Sequence, residues 1–171
     1  MYNELYESIK GKMDINNLNE NEINLLIDAE KNPINTLKYQ DIINQIQQTL
    51  VLSSHTYRCS VKDNKRGIIY QFQVHSTPII TKFSVGLMFV ENKVHLIRID
   101  FGDDLRHTNN YGTKNEVVIL GSHAHINSPA GKYVSKNVIP IGSINEFKNI
   151  KKIKDGLDEF ISYTNIKKAR R

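Results

Sequence analysis

Two hydrophobic periods divide the chain. Up to about residue 52 the apolar residues recur at helical spacing. Ile23, Leu26 and Ile27 share a stripe that Glu30 closes, and Asn19 with Glu22 three residues on forms a capping box ahead of it. Leu18 and Ile23 flank that cap at the spacing of a hydrophobic staple. This helix is expected to stop near Lys31, because Pro33 disfavours helical backbone at Asn32. Ile42, Ile43, Ile46 and Leu50 predict a second helix over Gln40 to Leu50. Residues 1–16 have no clear period, although Leu5, Tyr6 and Ile9 fit a short amphipathic turn.

From Tyr57 the period becomes two. Tyr57, Cys59 and Val61 alternate with Arg58, Ser60 and Lys62. After a turn at Asp63 to Gly67, Ile68, Tyr70, Phe72 and Val74 alternate with Ile69, Gln71, Gln73 and His75. The pair predicts a hairpin with one apolar and one polar face; the polar one, with Arg58, Lys62, Gln71, Gln73 and His75, is expected to be an ordinary solvated face, the alternative being that it follows a nucleic-acid backbone. Strands follow at about Lys82 to Val90 and Lys93 to Phe101. Both read as apolar on either face, and Glu91-Asn92 joins them, with Asn92 suited to positive φ. Val117 to Ile126 reads as one further strand, with His123 and His125 on the same face. Tyr133 to Ile141 predicts an edge strand, since Pro140 cannot donate to a ladder.

Ser143 to Glu146 has the form of a capping box opening a short helix through Lys154. Asp155 is placed to cap a last helix carrying Leu157, Phe160, Ile161 and Tyr163. The fold expected is α+β: a single, mostly antiparallel sheet of about five to six strands, with N-terminal helices and a C-terminal helix packed on it. We read one domain over 1–171, with a helical N-terminal segment over 1–52, sheet over 56–141, C-terminal helices over 143–165 and a basic tail over 166–171.

Composition adds little to this except through charge. The 39% apolar and 24% charged residues are those of a globular protein, and no apolar run nears the roughly 18 residues of a membrane span. The start, MYNELYESIKGKMD, lacks an apolar signal core, so a cytoplasmic protein without membrane association is expected. A single cysteine, Cys59, leaves no internal disulfide, and its place in an alternating strand suits packing. The net charge of +5 lies wholly at the C-terminal end: from Lys148 there are eight Lys or Arg against three acids, and fifteen of each before it. That end suits RNA or an acidic protein partner, or simply a solvated helix face.

The chemistry is concentrated between Leu96 and His125. Arg98 and Asp100 share one strand face; Arg106, His107 and Asn109 follow in a Gly- and Asn-rich loop; then come His123 and His125. If the two strands are neighbours, these groups converge. Two histidines near a phosphodiester can act as base and acid near neutrality, with an arginine offsetting the charge on phosphorus. That reading makes His107, His123, His125, Arg98 and Asp100 catalytic, gives substrate binding to Arg106, Asn109, Lys151 and Lys152, and needs no metal. Alternatively His123, His125 and Asp100 hold a divalent metal, with Asp103 or His107 completing the set. His55 and His95 are isolated and suggest no role. No P-loop, dinucleotide fingerprint or nucleophile elbow is present.

Taken together, the L-x-R-x-D strand Leu96 to Asp100, the H-x-N segment His107 to Asn109 and the H-x-H strand His123 to His125 resemble a small bacterial family, domain of unknown function 6978. The resemblance extends to the last helix, Leu157 to Tyr163, and covers most of the chain. It departs after His125, where Asn127 replaces an aromatic residue. More distantly, the R-x-D and histidine-bearing segments are similar to TumE-type toxins of toxin–antitoxin pairs. That similarity implies a toxin-like, RNA-directed protein of a phage or mobile element, a candidate ribonuclease with an antitoxin as acidic partner. The alternatives are a non-catalytic inhibitor of a host defence nuclease and a metal-dependent hydrolase.

Overall fold

A computed structural model describes residues 13–48, 53–130 and 137–167. The segment 1–12, where the amphipathic turn was expected, residues 131–136 at the start of the expected edge strand, and residues 168–171 of the basic tail lie outside the described residues. The described helices are α1 (Glu20–Asp28), α2 (Thr36–Gln48) and α3 (Ile153–Tyr163). The strands are β1 (Asn32–Pro33), β2 (His55–Asp63), β3 (Ile68–Ser76), β4 (Phe83–Phe89), β5 (Val94–Phe101), β6 (Arg106–Asn109), β7 (Val117–Leu120), β8 (His123–Pro129) and β9 (Val138–Pro140). Seven of them form one antiparallel sheet in the order β1-β2-β3-β4-β5-β8-β9, and β6 and β7 form a separate hairpin. The class is α+β as read from the sequence, with more strands than expected.

The alternation from Tyr57 sorts the sheet into two faces. One carries Cys59, Val61, Tyr70, Phe72, Val74, Val85, Leu87, Ile97, Ile99 and Ala124, all buried beneath the helices. Leu26 and Ile27 of α1, Tyr39, Ile42 and Ile46 of α2, and Leu157, Phe160 and Ile161 of α3 close over it. Each such side chain contributes roughly 1.5–3 kcal/mol on burial. The other face carries Arg58, Gln73, Ser84, Arg98 and Asp100, so β4 and β5 are not apolar on both sides as their composition suggested. Among the described residues both sheet edges are short and end in proline, Pro33 and Pro140, which discourages pairing with another chain.

Several local expectations are corrected. The run 117–126 is two strands, because Gly121 takes φ +75 and turns the chain out of the main sheet. The loop holding Arg106, His107 and Asn109 is strand β6, paired with β7. Lys93 rather than Asn92 takes positive φ, while Asn92 Oδ1 accepts the Val94 amide at 3.0 Å. Ser143 to Glu146 form no capping box: Ile144 stays extended to bury its side chain, which leaves two single 3-10 turns, Ile141–Ser143 and Asn145–Phe147. Helix α3 begins after Lys152 without a side-chain cap, and Asp155 sits in its first turn, where its charge offsets the helix dipole. Helix α1 does have the predicted Asn19–Glu22 box, and it ends at Asp28, three residues earlier than expected.

The unforeseen element is Lys31, which is fully buried. Its ammonium donates to the carbonyls of Leu26 (2.7 Å), Ile27 (3.0 Å), Ala29 (2.6 Å) and Thr164 (2.9 Å). It thereby closes the C-terminal ends of both α1 and α3, where carbonyls lack helical partners and a cation is favoured. The Tyr70 ring centroid lies 5.6 Å away. Burial pulls the pKa down to about 8, which still leaves the group charged at neutral pH. Replacing Lys31 by Met strands several buried carbonyls at about 1–3 kcal/mol each, so Lys31→Met is expected to lose at least about 3 kcal/mol in urea unfolding at neutral pH. An unchanged urea midpoint would contradict this role.

Candidate functional site

The site is made by the register of β5 against β8. Arg98 pairs with His125 and Asp100 with His123, so all four side chains leave the same face, away from the helices. Gly86 on β4 faces Arg98; a Cβ there would lie 3.1 Å from Arg98 Cγ, so the missing side chain lets the arginine lie flat across the strand. The β6–β7 hairpin then folds over this face. His107 and its partner Ile119 are the buried residues of that pair. Two contacts set the fold-over at its base: Gly121 N donates to Leu105 O (2.8 Å), and Gly102 N to Ser122 Oγ (3.0 Å). Asn109 Nδ2 donates to Val138 O (2.7 Å) and ties the hairpin to β9.

His107, His123 and His125 come together as three buried imidazoles, each offering one nitrogen, and those nitrogens lie within 4.8 Å of one another. Their ring centroids are 5.1 to 5.7 Å apart. Asp100 lies against two of them, with Oδ2 3.1 Å from His125 Nε2 and 3.8 Å from His123 Nε2. Arg98 grips the same carboxylate from the other side, Nε to Oδ1 at 3.0 Å and Nη2 to Oδ2. Burial alone would raise the Asp100 pKa; His125 and Arg98 more than offset this and hold it at about 2.

The tautomer of His123 follows from its neighbours. Its Nδ1 lies 2.8 Å from Gly121 O, which can only accept, so Nδ1 carries a proton and Nε2 is the nitrogen turned towards Asp100. The Asp100 Oδ2 stands 3.8 Å from it. His125 Nε2 is also buried, and despite its 3.1 Å approach to Asp100 the contact misses hydrogen-bond alignment. His123 Nε2, His125 Nε2 and the Asp100 carboxylate thus lie close together.

A cavity of about 430 Å³ opens onto the cluster. Its wall includes Arg98, Asp100, Arg106 and the three histidines, together with Lys82 and Ser84, which the sequence does not single out, and His75, read there only as part of the polar hairpin face. His75 and Ser84 arrive by cross-strand pairing, Thr56 to His75 to Ser84 to Asp100, which no local motif encodes. Alternation alone placed His75 on the polar face. Lys82 is paired with Asp104 at 2.7 Å on the exposed rim. His95, also unassigned, is buried close to Arg98, and burial with that neighbouring charge lowers its pKa to about 4.

Of the residues singled out in the sequence, His107, His123, His125, Arg98, Asp100 and Arg106 border this one cavity. Asn109 does not: its amide serves as the hairpin tie. Lys151 and Lys152 are exposed at the start of α3 and outside the cavity wall, and Asp103 is exposed and likewise outside it. Lys167 of the basic tail pairs with Glu30 at 3.5 Å.

An antiparallel sheet with helices on one face and a buried polyhistidine cluster on the other defines an α+β protein whose polar site is built on the uncovered side. The chain belongs to the Family of unknown function (DUF6978), whose model matches residues 18–166. No curated protein and no solved structure matches it. Among the described residues no helix is long and apolar enough to cross a membrane.

The depressed pKa of Asp100 has a consequence for stability. A carboxylate that titrates at about 2 when folded and 3.8 in its ordinary state stabilises the fold above 3.8, and the contribution fades as pH falls towards 2. The gap is worth about 2 kcal/mol. Urea unfolding in EDTA, repeated from about pH 4.5 to about pH 2, is expected to show the wild type losing about 2 kcal/mol more than Asp100→Asn. Parallel stability curves for the two proteins would contradict it.

Proposed function

We propose that this protein is a divalent-metal-dependent hydrolase that cuts RNA, with the ion held by His107, His123 and His125. One observation carries this reading: three buried imidazoles offer nitrogens within 4.8 Å of one another beside a carboxylate. Three histidines are a ligand set for zinc-like ions, and such sites keep one position open for water. The backbone carbonyl on His123 Nδ1 is the usual outer partner of a ligating imidazole, fixing ring and tautomer. An ion held there would lower the pKa of a bound water and supply a nucleophile near neutral pH. Asp100 offsets some of the ion's charge, and Arg98 keeps Asp100 in place.

The metal-free acid–base scheme suggested by the sequence fits this geometry less well. A base and an acid that act on opposite sides of a phosphorus stand roughly 6–8 Å apart, each within hydrogen-bond reach of its own oxygen. The nitrogens that the three imidazoles turn to one another lie closer than that, within 4.8 Å. RNA as substrate draws support from Arg106 at the rim, which suits a phosphate above the cluster. A toxin-like role agrees with such an activity. The inhibitor alternative draws support from Tyr111, Val117 and Leu120, exposed on the hairpin. It stands second because it gives the buried histidines no task.

Isothermal titration of the EDTA-treated chain with Zn²⁺ or Mn²⁺ is expected to show one ion per chain, and His123→Ala to weaken it by at least about 100-fold. Cleavage of RNA should stop in EDTA and return with the ion. Undiminished cleavage in EDTA would overturn the metal assignment.

A further inference from the structure

We infer that the uncovered face of the sheet is the track along which single-stranded RNA reaches the histidine cluster. This extends the reading of that cluster as an RNA-cutting site from the reacting phosphate to the strand that carries it. The observation behind it is the cross-strand register. Arg58, Gln73, Gly86, Arg98 and His125 are successive partners across β2, β3, β4, β5 and β8. They form one straight row that ends in the cluster. Beside it Thr56, His75 and Ser84 lead to Asp100 and His123 in the same way.

Every position in both rows is polar or glycine, although the strands that carry them are otherwise rich in apolar residues. The helices pack on the opposite face, and among the described residues only the hairpin folds over this one. Four steps between strands span about 19 Å, enough for about five stacked nucleotides at roughly 3.4 Å each.

Charge decides the kind of partner. The carboxylate on this face, Asp100, is already paired with Arg98, and Asp104 at its rim is paired with Lys82. Arg58 is exposed at the far end of the row, and no described carboxylate pairs with it. Lys62 lies on the same face, further along β2. The surplus on this face is therefore positive and lies at the β2 end of the path, in Arg58 and Lys62, where it suits an entering phosphate backbone. A protein partner would need apolar anchors at the centre of the patch. None is offered there: Met88 is buried, and Ile69, an exposed apolar side chain of this face, lies away from both rows beside Lys62. The prolines at both sheet edges also discourage docking by strand addition.

The track is tested by fluorescence anisotropy with a labelled oligouridylate, using the full chain in EDTA so that nothing is cut. Arg58→Glu is expected to weaken binding at least about tenfold and to lower the slope of log affinity against log salt by about 1. Lys148→Glu, an exposed cation outside both rows, is expected to leave both unchanged. Circular dichroism confirms that each variant folds. Arg58→Glu binding as tightly as the wild type, or Lys148→Glu losing as much, would overturn the proposal. Zinc titration of the same proteins separates the two readings. A chain that takes the ion but no oligonucleotide removes the track and leaves the metal site. A chain that takes the oligonucleotide but no ion removes the metal site and leaves the track.

Discussion

The pairing of β5 with β8 is the constraint on which this molecule turns. Setting Asp100 opposite His123 and Arg98 opposite His125 puts a carboxylate, a guanidinium and two imidazoles on one face. A slip of one residue would send the histidines of β8 into the helix-covered core and Ala124 out of it. The apolar face therefore enforces the polar one: Ile97, Ile99 and Ala124 are wholly buried, and their burial fixes the register that the site needs. The third histidine depends on a separate device, the left-handed backbone at Gly121, which lets the hairpin fold back and bring His107 over the pair.

Such a cluster is costly to assemble. Three imidazoles and a carboxylate lose water when the hairpin covers them, and Arg98 offsets only some of that through Asp100. The helix side supplies the rest. There Phe72, Leu87, Leu157 and Phe160 are fully buried, and Lys31 ties α1 to α3 by holding the carbonyl ends of both. The two faces of the sheet thus divide the work. One stabilises, and the other gathers groups that a stable core would exclude.

Much of this was legible in the chain. The change of period at Tyr57, the Asn19–Glu22 cap and the alternation in β2 and β3 give the α+β class and the orientation of the polar face, because both periods report burial directly. Arg98 with Asp100, and His123 with His125, are likewise seen to share faces, since each pair lies on one strand. Their meeting was not legible, because register between strands distant along the chain leaves no local mark. For the same reason nothing in the sequence singles out Ser84, and His75 reads there only as part of a polar hairpin face. Lys31 looked like the end of a helix; only the fold reveals four carbonyls around it. The Ser143–Glu146 box failed because the burial of Ile144 and Phe147 outweighed a cap.

The central claim is that His107, His123 and His125 share one ion. Anomalous diffraction from crystals grown with zinc tests it without reference to activity. The account predicts a peak about 2.0–2.2 Å from one nitrogen of each of the three rings, beside Asp100. A peak bound by fewer than three of these imidazoles, or well-ordered rings with zinc elsewhere on the chain, would contradict it.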